Sequence, residues 1–197
     1  MPAPLLTIGH STHPIERFLA LLTQHGVTAL GDVRSIPRSR FNPQFNRDRL
    51  EAALKAGGIA YVFLGDALGG KRDDPAERDY TSMAATPSFQ AGLARVREGA
   101  ARHRVALMCA EKEPLDCHRF VLISRHLRHD LAIAHILADG RLEPQAATED
   151  RLLAATGLAS ETSGGLLGES REATVDLAYD RRGAAMLRPA KPRKPRG

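Results

Sequence analysis

The sequence predicts an α/β protein: a single three-layer domain with a mostly parallel, five-stranded sheet and helices on both faces. Three observations predict it. Short apolar runs such as Leu5-Leu6-Thr7-Ile8 and Val105-Ala106-Leu107-Met108-Cys109 suit buried strands. Stretches with apolar residues at helical spacing separate them. The two kinds alternate along the chain, as they do in a parallel sheet with crossover helices. With 197 residues, the chain is long enough for one such domain plus some excess.

Leu5-Leu6-Thr7-Ile8-Gly9-His10-Ser11 reads as a first strand that ends in polar residues. Thr12 can cap the helix that follows, with Pro14 in its first turn and Glu16 in the early acidic position. Ile15, Phe18, Leu19 and Leu22 share one face, and Gly26 stops it. Val27 to Val33 is a second strand, ending in Asp32-Val33-Arg34-Ser35. A polar loop with Arg38, Ser39, Arg40, Phe41 and Phe45 leads to a helix opened by Asn46 or Asp48 and ended at Gly57-Gly58. Ile59 to Leu64 is a third strand, and Gly65 to Thr86 a long loop, a length usually tied to function or mobility. Pro87 or Ser88 starts a helix to about His103. Val105 to Cys109 is the fourth strand. Pro114 breaks the chain, and Asp116 caps a helix from Cys117 to Arg128, with Phe120, Ile123 and Leu127 on one face. Leu131 to Leu137 is the fifth strand, closed by Ala138-Asp139-Gly140.

The domain is expected to span 1–157. Residues 158–197 read as a Ser/Gly-rich linker and a basic, disordered tail: Ala159 to Ser170 is rich in Ser, Gly and Thr. Arg181 to Gly197 is basic and broken by Pro189, Pro192 and Pro195. The net charge is +5 and the pI about 9.6. Of 28 basic residues, five are lysine (55, 71, 112, 191 and 194), which leaves 23 arginines, the side chain suited to planar, bidentate phosphate recognition. No apolar run approaches the roughly 20 residues that span a bilayer. The N-terminus lacks the basic region and long apolar core of a secretory signal. A cytoplasmic location without membrane attachment is expected, and two cysteines fit a reducing compartment.

In a parallel sheet the C-terminal ends of all strands share one edge, where ligands bind in open α/β sheets. That edge collects His10 and Ser11, Asp32, Arg34 and Ser35, Gly65 and Asp66, Cys109 and Glu111, and Asp139, whereas the opposite ends are bland. The segments Thr7-Ile8-Gly9-His10-Ser11, Asp32-Val33-Arg34-Ser35-x-Pro37-x-Ser39, Leu68-Gly69-Gly70 and Cys109-Ala110-Glu111-x-x-Pro114-x-x-Cys117-His118-Arg119 are together similar to the bacterial family known as domain of unknown function 488. The resemblance covers roughly residues 5 to 155. It implies a compact α/β domain and leaves the chemistry to the residues themselves.

Arg34, Arg38 and Arg40 with Ser35 and Ser39 form a donor cluster suited to a phosphate, and Phe41 and Phe45 could stack on a base. Gly69-Gly70-Lys71-Arg72 could offer backbone N–H groups to a phosphate, but lacks the Walker spacing. Asp32 and Glu111 could divide acid and base roles, or pair with Arg34 and Arg119. Cys109, Cys117 and His118 lack a fourth partner and the short Cys-x-x-Cys spacing of common zinc sites, so no metal is expected. Cys117 beside His118 at a helix start suits a nucleophile, but the plainer reading, which the sequence favours, makes Cys109 a buried small apolar residue and Cys117 a packing residue. A Cys-x5-Arg phosphatase loop is absent. His118 and Arg119 in a first helical turn oppose the helix dipole, which points to an anionic neighbour.

The catalytic candidates are thus His10, Asp32, Glu111, Cys117 and His118. The anion-binding candidates are Ser11, Arg34, Ser35, Arg38, Ser39, Arg40 and Arg119. The chain is expected to be an enzyme, a hydrolase or transferase, acting on a phosphate-bearing ligand (a nucleotide or nucleic acid) in a polar cleft at the strand ends. Its expected partner is an anionic small molecule or a nucleic acid; no cofactor is named. One alternative is a non-catalytic nucleic-acid-binding module using the arginine loop and basic tail. A second is a thiol redox protein built on Cys109 and Cys117.

Overall fold

The first strand in the chain takes a central place in the sheet. β1 (Leu5–Gly9) pairs in parallel with β4 (Val105–Cys109) on one side and β5 (Ile133–Ile136) on the other. β2 (Ala29–Asp32) lies on the far side of β4, and β3 (Ala60–Phe63) forms the edge beyond it. Every residue of β1, β2, β4 and β5 is buried, as befits parallel strands covered on both faces. The computed structural model describes residues 3–71, 74, 77, 79–159 and 170–188.

The sheet has a sixth strand that the sequence reading missed. β6 (Leu142–Pro144) pairs antiparallel with β5, giving the order β3-β2-β4-β1-β5-β6. It has only three residues, and Pro144 donates no hydrogen bond, which confines it to an edge.

Alternation along the strands sorts side chains to two faces. Leu6, Ile8, Leu30, Ala106 and Met108 meet α1 (Ile15–Gln24) and α2 (Arg47–Ala56) through Phe18, Leu21, Leu22, Leu50 and Leu54. Leu5, Leu107, Cys109 and Ile133 meet the other layer. That layer is α3 (Gly65–Leu68), α4 (Tyr80–Ala85), α5 (Pro87–Arg102) and the segment after β4. Each such fully buried Leu or Phe contributes about 1.5–3 kcal/mol relative to exposure. Among the described residues, the expected long loop between Gly65 and Thr86 contains the two short α-helices α3 and α4. Thr86 caps α5 by accepting from the Phe89 N–H, with Pro87 at the first helical position.

Two expected caps are absent. α1 starts after Pro14, and Thr12 does not cap it. Asn46 precedes α2, but its side chain accepts from the Ser39 N–H at 2.7 Å instead of capping the helix.

The helix expected from Cys117 to Arg128 is irregular. A 3-10 turn spans Pro114–Asp116, a π-helix spans Arg119–Ser124, and a short α6 (Arg125–Leu127) follows. Glu113, not Asp116, caps the turn, accepting from the Leu115 N–H. All six π-helical residues are buried, and the wide coil lets Arg119 point inward beside Phe120 and Leu122.

The segment expected as linker and tail contains an ordered helix. α8 (Arg171–Leu187) packs against α7 (Gln145–Thr156) and the π-helix through Val175, Ala178 and Tyr179, facing Val121, Leu152 and Leu153. Arg128 joins them, reaching Glu149 at 3.2 Å and Asp176 at 2.9 Å. Residues 160–169 and 189–197, where the rest of that expectation falls, lie outside the described residues. Among the described residues no helix is long and apolar enough to cross a membrane.

Candidate functional site

Main-chain pairing carries the sheet past its strand ends. His10 N donates to the Cys109 carbonyl and Ser11 N to the Ala110 carbonyl, both at 2.9 Å. At Gly9 a Cβ atom would stand 1.8 Å from the Glu111 carbonyl oxygen, so the loops after β1 and β4 can close only over glycine. This seam brings the polar residues of β1, β2 and β4 to one edge, where they separate into two groups.

The first group is a closed, buried network. Arg34 is 5% exposed, and its guanidinium grips Asp32 in a fork, Nε to Oδ1 at 2.9 Å and Nη2 to Oδ2 at 2.6 Å. Nη2 also donates to the Phe45 carbonyl, and Tyr61 Oη donates to Asp32 Oδ2 at 2.9 Å. His10 Nδ1 donates to the Ser11 carbonyl at 2.8 Å, so Nε2 is left to accept from Arg34 Nη1 at 3.3 Å. Burial, opposed by the Ser11 carbonyl and reinforced by Arg34, lowers the His10 pKa to about 4 and keeps the ring neutral, stacked on Phe45 with centroids 4.2 Å apart. Ser11 holds a positive φ of 48° to make this turn. The expected Asp32–Arg34 pairing is thus present, and Arg34 spends its donors within the protein.

The second group surrounds the end of β4. Cys109 Sγ lies 2.8 Å and Cys117 Sγ 3.1 Å from Glu111 Oε2. His118 Nε2 donates to the Val33 carbonyl at 2.9 Å, because that oxygen can only accept. Its Nδ1 therefore turns to the sulfurs, 3.5 Å from Cys109 Sγ and 3.9 Å from Cys117 Sγ. Gly70 packs against the other side of the ring, where a Cβ would stand 2.6 Å from His118 Cγ. Donor atoms of Cys109, Glu111, Cys117 and His118 all lie within 4.8 Å of one another.

The electrostatics favour one thiolate in this group. Burial opposes ionising either sulfur and pushes Cys109 up. For Cys117 burial is outweighed by the Cys109 hydrogen bond, the Arg119 guanidinium and His118, which hold the thiol well below its usual range. Burial works against a charged His118, yet Cys117 and the Val33 carbonyl raise its pKa. Burial and the Cys117 charge likewise raise Glu111. Arg119 is fully buried; Nη1 donates to the Glu111 carbonyl at 2.7 Å and Nη2 to the Lys112 carbonyl at 3.2 Å, while Nε has no partner among the described residues. The neighbour of His118 and Arg119 that favours the anionic form is thus Cys117.

A cleft of about 400 Å³ opens onto this group. Cys109, Glu111 and His118 form its floor, with Arg34, Ser35, Lys71 and Asp116 around them. Tyr80, Met186 and Leu187 complete the lining, so α8 helps to wall the site. Arg182 of α8 also bonds the Leu115 carbonyl and pairs with Asp116, bracing the turn before Cys117.

Other candidates fall elsewhere. Ser35 Oγ accepts from the Lys71 N–H at 2.9 Å, and Ser39 Oγ from the Phe41 and Asn42 N–H groups, so both fix loops. Arg38 and Arg40 are exposed and do not line the cleft; Arg40 lies over the Phe41 ring. Arg72 lies outside the described residues. Tyr61, Tyr80 and the contact of the Glu111 carboxylate with both sulfurs were missed. Only for Glu111 was a signal present: two residues beyond Cys109, it reaches the same edge of the sheet.

Together these features define an α/β protein with a strand-end cleft floored by a cysteine–histidine–carboxylate centre. The chain belongs to the family described as Domain of unknown function DUF488, whose model matches residues 14–126. No curated protein and no solved structure matches it. β1 precedes the matched span, and β5, β6, α7 and α8 follow it.

Proposed function

We propose that the protein is an enzyme, a hydrolase or transferase, that acts on a small phosphate-bearing ligand of about nucleotide size in the strand-end cleft. The Cys109–Glu111–Cys117–His118 group is its reactive centre. The observation that carries this reading is the opening of a buried sulfur–imidazole group, with the exposed Glu111 carboxylate against it, onto a cleft rimmed by Lys71 and Ser35. A volume of about 400 Å³ suits a small molecule better than a strand of nucleic acid. Lys71 supplies an exposed cation at the rim, since Arg34 and Arg119 are engaged inside the protein. Glu111 Oε2 lies 2.8 Å and 3.1 Å from the two sulfurs and is placed to move a proton during turnover.

The test is a thermal-shift panel of nucleotides, sugar phosphates and short oligonucleotides, run on the wild-type chain and on Lys71→Ala. A mononucleotide or sugar phosphate should raise Tm in the wild type and less in the variant. Silence across the whole panel counts against the reading.

A second reading, a nucleic-acid-binding surface, is favoured by one feature. Phe41 is 80% exposed with the Arg40 guanidinium 4.9 Å from its ring centroid, an arrangement suited to base stacking. Oligonucleotide binding lost in Phe41→Ala but kept in Lys71→Ala would select it.

A further inference from the structure

We propose that Cys109, Cys117 and His118, with Glu111 as fourth donor, bind one zinc-class divalent cation at the floor of the cleft. This names the cofactor of the reactive centre proposed above and rests on that reading for its catalytic use; binding itself can be measured without a substrate.

The donor set is the first support. Two sulfurs, an imidazole nitrogen and a carboxylate oxygen, all within 4.8 Å, match the ligand types of tetrahedral zinc. With Zn–S near 2.3 Å and Zn–N near 2.05 Å, tetrahedral geometry puts sulfur and nitrogen about 3.6 Å apart. His118 Nδ1 stands 3.5 Å and 3.9 Å from the two sulfurs. Glu111 Oε2, at 2.8 Å and 3.1 Å, sits closer, at hydrogen-bonding distance. It must withdraw by roughly half an ångström for the same geometry, and its exposed position allows that.

The outer contacts are the second support. A ligating histidine typically donates its other N–H to a backbone carbonyl or carboxylate, and His118 donates to Val33. Arg119 N lies 3.5 Å from Cys117 Sγ, placed to donate to a bound thiolate. Arg119 also settles the charge. Two thiolates and a carboxylate carry three negative charges, which a divalent ion and this buried guanidinium neutralise. Binding forms two metal–sulfur bonds and releases any remaining thiol protons to solvent.

Three of the donors are buried and Glu111 is exposed. A site with three fixed ligands and one displaceable donor facing a cleft is the catalytic rather than the structural kind. When Glu111 gives way, water or a ligand oxygen takes its place.

The experiment titrates Co2+ alone into the reduced, metal-free, full-length wild-type chain, with circular dichroism confirming the fold. About one ion per chain is expected, with a near-ultraviolet thiolate-to-cobalt charge-transfer band that Zn2+ abolishes. Cys117→Ser and His118→Gln should each weaken binding more than about 100-fold, since even outer-shell changes cost 10–100-fold. Glu111→Gln should keep the charge-transfer band and alter the visible bands. A folded wild-type chain without the band at excess Co2+ overturns the proposal, as does a band that survives both Cys109→Ser and Cys117→Ser. If the metal-free chain still responds to a phosphate ligand while refusing the ion, the metal assignment fails and the cleft reading stands. If the ion binds and no ligand does, the reverse holds.

Discussion

Arg119 and Glu111 are joined through the main chain, not through their charges. The guanidinium Nη1 donates to the Glu111 carbonyl oxygen at 2.7 Å, while the Glu111 carboxylate turns to the two cysteine sulfurs. The two residues therefore answer differently to substitution. Glu111→Gln should cost less than about 1 kcal/mol, because no buried ion pair is broken. Arg119→Met should cost about 3 kcal/mol or more, since two bonds from a charged donor are lost and two carbonyls are stranded. Urea unfolding of both variants checks this. A loss of several kcal/mol in Glu111→Gln would restore the direct charge pairing.

Asp32 and Arg34 should behave as a unit. Asp32 is fully buried and accepts from the guanidinium, the Arg34 N–H and Tyr61. Asp32→Asn leaves a buried guanidinium without its counter-charge and should cost about 3–5 kcal/mol. The double variant Asp32→Asn with Arg34→Met should lose less than the two single losses added together, read from chemical unfolding.

Acid stability should carry a signature of His135. Its Nδ1 accepts from Thr7 Oγ1 at 2.8 Å and its Nε2 donates to Gln145 Oε1 at 2.9 Å, so the neutral ring is fully bonded. Burial, with Arg119 nearby, lowers its pKa to about 3. Between about pH 6.5 and 3 the unfolded chain binds a proton that the folded chain refuses, so stability falls as pH falls. The slope from this residue is up to about 1.4 kcal/mol per pH unit. Stability curves of wild type and His135→Gln should converge as pH drops through that window; parallel curves would refute the assignment.

Removal of α8 should be costly, against the expectation for a disordered tail. Tyr179 is fully buried, bonds Gln145 at 2.6 Å and Glu149 at 3.1 Å, and packs on Phe120. Tyr179→Ala should lose about 3–5 kcal/mol. Truncation after residue 169 should lower Tm by well over ten degrees, since a ΔΔG of about 1 kcal/mol moves Tm by 2–4 °C in a chain of this length. An unchanged melting curve would show that the helix adds nothing to the domain.

The parallel sheet was legible because buried strands write their burial directly into composition. β4 matches its expected bounds, and the other four parallel strands are shortened versions of theirs. The convergence of His10, Asp32, Arg34, Cys109 and Glu111 on one edge follows from that topology alone. Less local features were hidden. α8 follows a Ser/Gly-rich stretch and carries polar residues on its outer side, so its narrow apolar face was masked by its neighbourhood. The π-helix has no composition of its own; Arg119 is accommodated by tertiary bonds to Glu111 and Lys112. Pairing of Arg34 with Asp32 across two residues could be guessed, but not that Arg119 would choose carbonyls.

The seam at Gly9 also bears on the order in which the molecule assembles. Leu6 faces Ala106, and Leu5 faces Ile133, so the central strand is made before both of its partners and must wait for them. The β2–β3 hydrogen bonds can form earlier, but the loop that holds Glu111 has no ceiling until β1 docks. Both thiols therefore emerge before their shelter exists. During synthesis they are open to oxidants and stray metal ions, and a slow β1 docking step lengthens that exposure. A change that only delays docking would then reduce the yield of protein with intact thiols even where the molecules that finish folding are sound.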